Sequence, residues 1–464
     1  MAAAPVYANP QGGTVSAGQA SISNSGNRLD IHQQTDKAII DWRGFDIAPS
    51  ETTQFHQPSS GSMTLNRVNS DTASTIAGNL KANGNIAIVN PNGVLFEGTS
   101  KVDVNGLIAT TADIDNRDFM AGKLAFTKPG NPNAKIINRG TITAKEAGLI
   151  GLVAPHVENS GIITAKLGKV QLASGNSFMV DLYGDGLYEI GVSDAVTAQL
   201  VANTGSINAE GGTIALTAAQ GRDIVNSLIT IEGELKAPTI RQQGGKIIIG
   251  GADTVILSGT LDVSSGSGKG GSVDARARKT MTADATIKAD GATGGGDVMI
   301  WSDDHTDLSG SITATGGDGF VETSGKNTLS IGDTTRVTTR GPKDTTGLWL
   351  LDPQDFTIGT GGDISVATLQ TNLAGGDITI ESSGGGTAGS GDIIITDALA
   401  WASNRLTLTA ARDVLVNNVV TVSGTGALTV NTATTNGADT GVSGGALKMD
   451  LDSSGFNGRI DYSA

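Results

Sequence analysis

The sequence predicts an all-β chain, a right-handed parallel β-helix (a solenoid) with an N-terminal antiparallel β cap, and three observations carry that expectation. Helix signals are scarce, and short β-branched stretches alternate with Gly, Asn and Asp. The stretches recur with a period of 20–26 residues. At 464 residues the chain is too long for one compact core, because single cores stop growing near ~250–300 residues.

Alternation is clear in Gly140-Thr-Ile-Thr-Ala144, Lys169-Val-Gln-Leu172 and Asp377-Ile-Thr-Ile380. A period of two puts Ile and Val on one face and Thr or Ser on the other. Ile137-Asn-Arg-Gly-Thr-Ile-Thr143 is echoed by Glu158-Asn-Ser-Gly-Ile-Ile-Thr164, by Ala202-Asn-Thr-Gly-Ser-Ile-Asn208 and loosely by Val225-Asn-Ser-Leu-Ile-Thr230. The asparagines, 138, 159, 203 and 226, are 21, 44 and 23 apart, which implies a ~22-residue unit with one degenerate copy passed over near Met179–Gly186. Farther on, Leu261, Ile287, Ile312 and Val337 are 26, 25 and 25 apart. These units lack a leucine-rich-repeat framework, and a propeller needs blades of roughly 40 residues. Stacked coils, ~4.8 Å apart, fit best. Asn at a fixed turn position can then ladder its amide along the axis.

Residues 1–8 read as the end of a signal peptide or a disordered start, since Val6-Tyr-Ala8 fits a small-x-small cleavage pattern. Residues 9–235 carry the cap and the ~22-residue coils, and the antiparallel cap is expected over 9–85. Residues 236–345 carry the ~25-residue repeats. Residues 346–362 form a junction, marked by Gly347-Leu-Trp-Leu-Leu-Asp-Pro-Gln-Asp-Phe-Thr357. Residues 363–464 hold further β-rich repeats, and the chain is expected to be a fragment of something longer.

Composition narrows the function classes. The formal charge of −15 disfavours a nucleic-acid partner, and no run of ~18 apolar residues spans a bilayer. The absence of Cys removes disulfides, thiol chemistry and Cys-ligated metals. No phosphate-binding or dinucleotide fingerprint suggests a cofactor. Ser302-Asp-Asp-His-Thr-Asp307 could hold a metal or an acid/base pair but reads as a solvated turn. Gly184-Asp-Gly186 and Gly317-Asp-Gly319 read as turns and not Ca²⁺ loops, because the calcium nonapeptide does not recur. No catalytic residue, cofactor or metal site is therefore expected.

One segment is more specific than the periodicity: Asn83-Gly-Asn-Ile-Ala-Ile-Val-Asn-Pro-Asn-Gly-Val-Leu-Phe96. Alone, Asn90-Pro91-Asn92-Gly93 is a good turn, with Pro presetting φ and Gly accepting positive φ. In its frame it resembles the secretion-domain signature of the two-partner secretion exoproteins, of the filamentous haemagglutinin and high-molecular-weight adhesin type. Val104-Asn-Gly-Leu-Ile-Ala-Thr-Thr-Ala-Asp-Ile114, Ala38–Ile47, Phe55-His-Gln-Pro58 and Leu65-Asn66-Arg67-Val68 extend the resemblance over residues 12 to about 235. The chain lacks the haemagglutinin branch's second tetrapeptide, Asn-Ser-Asn-Leu, and Leu65–Val68 holds a comparable place as a supporting cap motif. The resemblance implies a secreted or cell-surface adhesin, exported through the periplasm by a dedicated outer-membrane transporter whose periplasmic domains select it. It makes Asn90, Pro91, Asn92 and Gly93 the transporter-recognition motif and the β-helix an adhesive shaft. A host-surface or matrix carbohydrate is a candidate ligand on flat Thr/Asn-rich faces. The alternatives are a β-helical polysaccharide-degrading enzyme and the stalk of a contact-dependent toxin or haemolysin.

Overall fold

A computed structural model describes residues 8–182, 184, 186–222, 224–240, 244–383, 389–432, 445–452 and 455–463. Residues 1–7, the expected signal-peptide remnant, lie outside the described residues. The chain divides into two units, Met1–Ala237 with Gly245–Ala252, and Pro238–Gly244 with Asp253–Ala464. Each is a parallel β-helix.

In the N-terminal unit, from Ser74 onward, each coil gives one short strand to each of three parallel sheets. One coil comprises Lys135–Asn138, Thr141–Ala144 and Leu149–Ala154, and the next His156–Asn159, Ile162–Thr164 and Lys169–Ser174. Their registers are uninterrupted: Ile136 lies beside Val157, Ile142 beside Ile163, and Ile150 beside Val170. The inward residues stack as like on like, and all six are fully buried.

The antiparallel cap is shorter than expected. Thr14–Ala17 runs antiparallel to Lys37–Trp42, and Ala20–Ser25 forms a hairpin with Arg28–Gln33 through Gly26, whose φ is 62°. Parallel pairing already begins with Arg28–Gln33 on Thr52–His56 and Lys37–Trp42 on Met63–Val68. Two antiparallel strands suffice to cover the edges of two sheets, so the remainder of 9–85 winds as coil.

The asparagine pattern holds in part. Asn138 Nδ2 donates to Asn159 Oδ1 at 2.7 Å, and Asn159 Nδ2 donates to Asn203 Oδ1 at 2.7 Å. All three side chains are buried. Asn159 and Asn203 are direct neighbours across the sheet, so the 44-residue step is one coil with an insertion and not a coil passed over. Asn226 is no part of the ladder. It pairs with Ala198, and Ile231 stands beside Asn203.

Two insertions explain the long steps. Residues 111–134 and 175–197 leave the coil path and build a four-stranded antiparallel sheet from Asp113–Ile114, Ala125–Lys128, Ser177–Asp181 and Gly186–Gly191. The first insertion also holds helix α1, Asn116–Ala121, capped by the Asp115 side chain and ended by Gly122 at φ 83°. Phe119, Phe126 and Phe178 from this layer bury against Ile39, Leu65, Ala87 and Ile108 of the first parallel sheet.

In the C-terminal unit Leu261, Ile287, Ile312 and Val337 are register neighbours in sequence, as their spacing predicts. The aromatic segment near 350 is no break in the sheet. Leu348–Leu351 pairs with Phe320–Gly325 on one side and Asp377–Glu381 on the other. Trp349 occupies the inward stack beside Val321, and its Nε1 donates to Thr323 Oγ1 at 2.8 Å. The irregularity comes after it: helix α2, Val366–Leu373, follows the Ser365 cap and buries Leu369 and Leu373.

Candidate functional site

Asn90–Gly93 joins strand Asn85–Val89 to strand Gly93–Phe96. Gly93 N–H donates to Asn90 O at 2.9 Å, closing the turn, and Asn92 N–H donates to Asn90 Oδ1 at 2.9 Å. Asn90 Nδ2 donates to Thr72 O and Ser74 Oγ, and Asn92 Nδ2 donates to Ser70 O at 2.8 Å. From the other side, Asn131 N–H donates to Pro91 O at 2.9 Å. The turn is therefore clamped between the 70–74 loop and the 130–134 loop. Gly93 has φ 109°, and a Cβ there would lie 2.3 Å from Lys135 O, so only Gly allows the next coil to close on it. Asn90 is fully buried, whereas Pro91 and Asn92 are half-buried. The Nδ2 groups of both asparagines are thus engaged within the protein, and Pro91 and Asn92 form the accessible part of the turn.

Leu65–Val68 belongs to strand Met63–Val68, between Lys37–Trp42 and Asn85–Val89. Leu65 and Val68 are core residues. Asn66 Oδ1 accepts from Trp42 Nε1 at 3.0 Å, which satisfies a buried indole. Arg67 points outward to the inserted layer, where Nε meets both oxygens of Asp113, Nη1 meets Asp41 at 3.2 Å and Nη2 donates to Ile114 O at 2.9 Å. This fork ties the start of the first insertion to the coil. The sequence places the two tetrapeptides 25 residues apart; the structure puts them on neighbouring strands, both facing ground prepared by the insertion. A groove of about 440 Å³ opens at the opposite end of these strands, lined among others by Lys37, Met63, Leu124, Leu182 and Tyr188, and neither tetrapeptide lines it.

The sequence pattern missed this layer, although a signal was present. Ile86-Ala-Ile-Val89, Gly106-Leu-Ile-Ala-Thr110 and Leu149-Ile-Gly-Leu-Val-Ala154 are continuous small or apolar runs, the mark of strands covered on both faces.

The other candidates disperse. In Ser302–Asp307, Ser302 and Thr306 point inward and share a 2.8 Å hydrogen bond, while Asp303 and Asp304 are exposed in the turn. His305 Nδ1 lies 2.7 Å from Thr328 Oγ1, and its Nε2 lies 3.0 Å from Asp307. Gly317–Gly319 is a turn with Gly317 and Asp318 at positive φ; Asp185 of the other Gly-Asp-Gly lies outside the described residues. One group of three side chains that could hold a metal ion converges among the described residues: Asp30, His32 and His56. Arg28, and secondarily His56, hold the Asp30 carboxyl down to about 2. Finding this group takes the register of two strands, which local pattern does not supply.

A family model described as the TPS secretion domain matches residues 6–263. The chain is 33% identical over 265 residues to a heme/hemopexin-binding protein of Haemophilus influenzae strain Rd, a match covering 55% of this chain and 28% of that protein. A second Haemophilus influenzae heme/hemopexin-binding protein is 28% identical over 258 residues, 51% of this chain and 27% of its own length. These matches thus span under a third of either relative. The crystal structure of the HMW1 secretion domain from Haemophilus influenzae superposes with a TM-score of 0.57 at 22% identity, covering 91% of this chain and all of that one, a likeness of fold.

Proposed function

The chain belongs to the TPS secretion-domain family, whose members are exported across the outer membrane to be secreted or surface-exposed, and from that premise we propose that it is the export-directing front of an adhesive exoprotein. An outer-membrane partner transporter selects residues 9–235 as the secretion domain. Residues 236–345 and 363–464, with 346–362 between them, form a β-helical shaft that presents binding surface. The observation that carries this reading is the coincidence of the family match with the cap, the two tetrapeptides and the inserted layer.

The physical logic is directional. A narrow barrel passes an unfolded chain, and a chain without Cys cannot be locked by disulfides before passage. Each coil contacts mainly its neighbours, so folding can propagate from a covered first coil and make passage one-way without a nucleotide. Asn90–Gly93 serves this by closing the coil on which the insertion rests. Leu65–Val68 serves it by anchoring that insertion through Arg67.

Deleting residues 9–120 is expected to abolish appearance of the chain outside cells that co-express a partner transporter, with cellular expression unchanged. Undiminished export of the deleted chain overturns the assignment. A second reading, a passenger that captures heme or hemopexin, draws on the 33% identity to a relative so named. Hemin titration of the full chain, read by its absorption band, separates the two.

A further inference from the structure

Strands Arg28–Gln33 and Thr52–His56 run parallel with His32 opposite His56 and Asp30 opposite Gln54. Alternation sends Leu29, Ile31 and Phe55 into the core and leaves Arg28, Asp30, His32 and His56 on one outer face. The two imidazoles stack with centroids 4.3 Å apart and planes 7° apart. His56 Nε2 lies 2.8 Å from Asp30 Oδ1. The donor atoms of all three residues lie within 4.8 Å of one another. Half of the chain's four histidines thus meet at one point.

We propose that Asp30, His32 and His56 form a binding site for a divalent transition metal of the Zn²⁺ or Cu²⁺ class, joining the first two parallel strands of the β-helix. Imidazole and carboxylate suit these ions, whereas Ca²⁺ and Mg²⁺ seek six or more oxygens. The fit is close to what the ligands already show. A hydrogen bond now bridges His56 Nε2 and Asp30. A tetrahedral ion with bonds of ~2.0–2.2 Å needs its ligand atoms roughly 3.3 Å apart, so it can take that proton's place after a shift of about 0.5 Å. The His32 ring must turn out of the stack to reach the same ion. It is exposed, and the His56 side chain is 42% exposed, so nothing packed opposes the rotation.

Arg28 need not leave. It donates to Asp30 through Nε at 2.7 Å and Nη2 at 2.8 Å, but a carboxylate offers about four lone-pair sites. The guanidinium then fixes the orientation of the carboxylate as an outer partner does in metal sites generally. Two imidazoles and one carboxylate leave at least one position for water.

The test is calorimetric titration of the untagged full chain with ZnCl2, CuCl2 and CaCl2 in a non-chelating buffer. One saturable Zn²⁺ site per chain is expected, with Cu²⁺ tighter and no Ca²⁺ heat. His32→Ala and His56→Ala should each weaken Zn²⁺ binding by at least about tenfold, the loss that even an outer-shell partner can cause. Asp30→Asn should weaken it as well, while His156→Ala and His305→Ala should not. Circular dichroism of each variant checks folding, and ZnCl2 should raise the thermal midpoint of the parent but not of the double variant H32A/H56A. No saturable Zn²⁺ binding by the parent chain, or undiminished binding by the folded double variant, overturns the proposal.

Discussion

The two units use the same coil but cover it differently. In the N-terminal unit the strands Asn85–Val89, Gly106–Thr110 and Leu149–Ala154 are buried at every residue. In the C-terminal unit Ser272–Ala277 and Asp297–Ser302 alternate buried with open positions. The difference lies in the insertions at 111–134 and 175–197, which lay a second β layer on the outer face of the first sheet. The coils of the N-terminal unit beneath this layer thus have two cores, one inside the helix and one outside it. A coil in the C-terminal unit has one. Of the two tetrapeptides, Leu65 belongs to this outer core and Arg67 ties the inserted layer to the coil.

The largest expected effect follows from that second core. Phe126 and Phe178 stack at 4.7 Å with planes 3° apart, and both are essentially unexposed. Phe178→Ala should destabilise the N-terminal unit by about 3–5 kcal/mol, the cost of truncating a buried aromatic. Met299→Ala, on the open face of the other unit, should cost less than about 1 kcal/mol. Urea unfolding read from Trp42, the one tryptophan of the N-terminal unit, after replacement of Trp301, Trp349 and Trp401, measures the first. Equal costs would mean that the inserted layer adds no core.

Next in size is the tie between layer and coil. Arg67 is 15% exposed, and Arg67→Met would strand Asp41 and Asp113 together with the Ile114 carbonyl. Breaking one side of such a pair costs about 3 kcal/mol here, at the low end because Asp113 is 25% exposed. Arg67→Lys should recover only part of it, since an ammonium cannot reproduce the fork. The same Trp42 signal checks both, and full recovery by Lys would show that charge alone joins the layer to the coil.

What the sequence disclosed was whatever is local. Period two and Gly or Asn punctuation placed Leu261, Ile287, Ile312 and Val337 in correct register, because each unit repeats the same local chemistry. What escaped needed partners distant in sequence. The step from Asn159 to Asn203 looked like a missing repeat, since an excursion and a degenerate coil have the same length along the chain. Helix α1 has six residues and α2 is half Val, Thr and Asn, so neither has a helical pattern to find. Leu65–Val68 was legible as a motif, but its division into two core residues, an indole partner and an ionic tie was not.

The asparagine ladder gives a subtler comparison within the N-terminal unit. Ile231 shows that an apolar residue can follow Asn203 in the same stack. Asn159→Leu alone should cost about 2 kcal/mol, because it removes the acceptor of Asn138 and the donor to Asn203. Replacing Asn138, Asn159 and Asn203 together by Leu should cost less than three such losses, since no buried amide is then left without its neighbour. Denaturant midpoints of the single and triple variants decide it; additive losses would show the amides stabilise individually and not as a chain.

The smallest effect separates the units by pH. Burial first, and then Glu381 and Glu322, push the Asp352 carboxyl up to about 6 in the C-terminal unit. In the N-terminal unit the Arg28 fork holds Asp30 at about 2. Folded Asp352 binds its proton more tightly than it does unfolded, so its contribution is complete below about pH 4 and fades as pH rises through 6. Folded Asp30 releases its proton more readily, so its contribution is complete above about pH 4 and fades as pH falls toward 2. Asp352→Asn should therefore stabilise the C-terminal unit at pH 7 by about 1–2 kcal/mol, discounting the full shift for partial exposure, and change nothing at pH 4. Urea midpoints between pH 4 and 8, read from Trp349 with the other tryptophans replaced, test the sign. A gain of equal size at both pH values would show that the variant acts by packing and that the carboxylate's charge is not what the fold opposes.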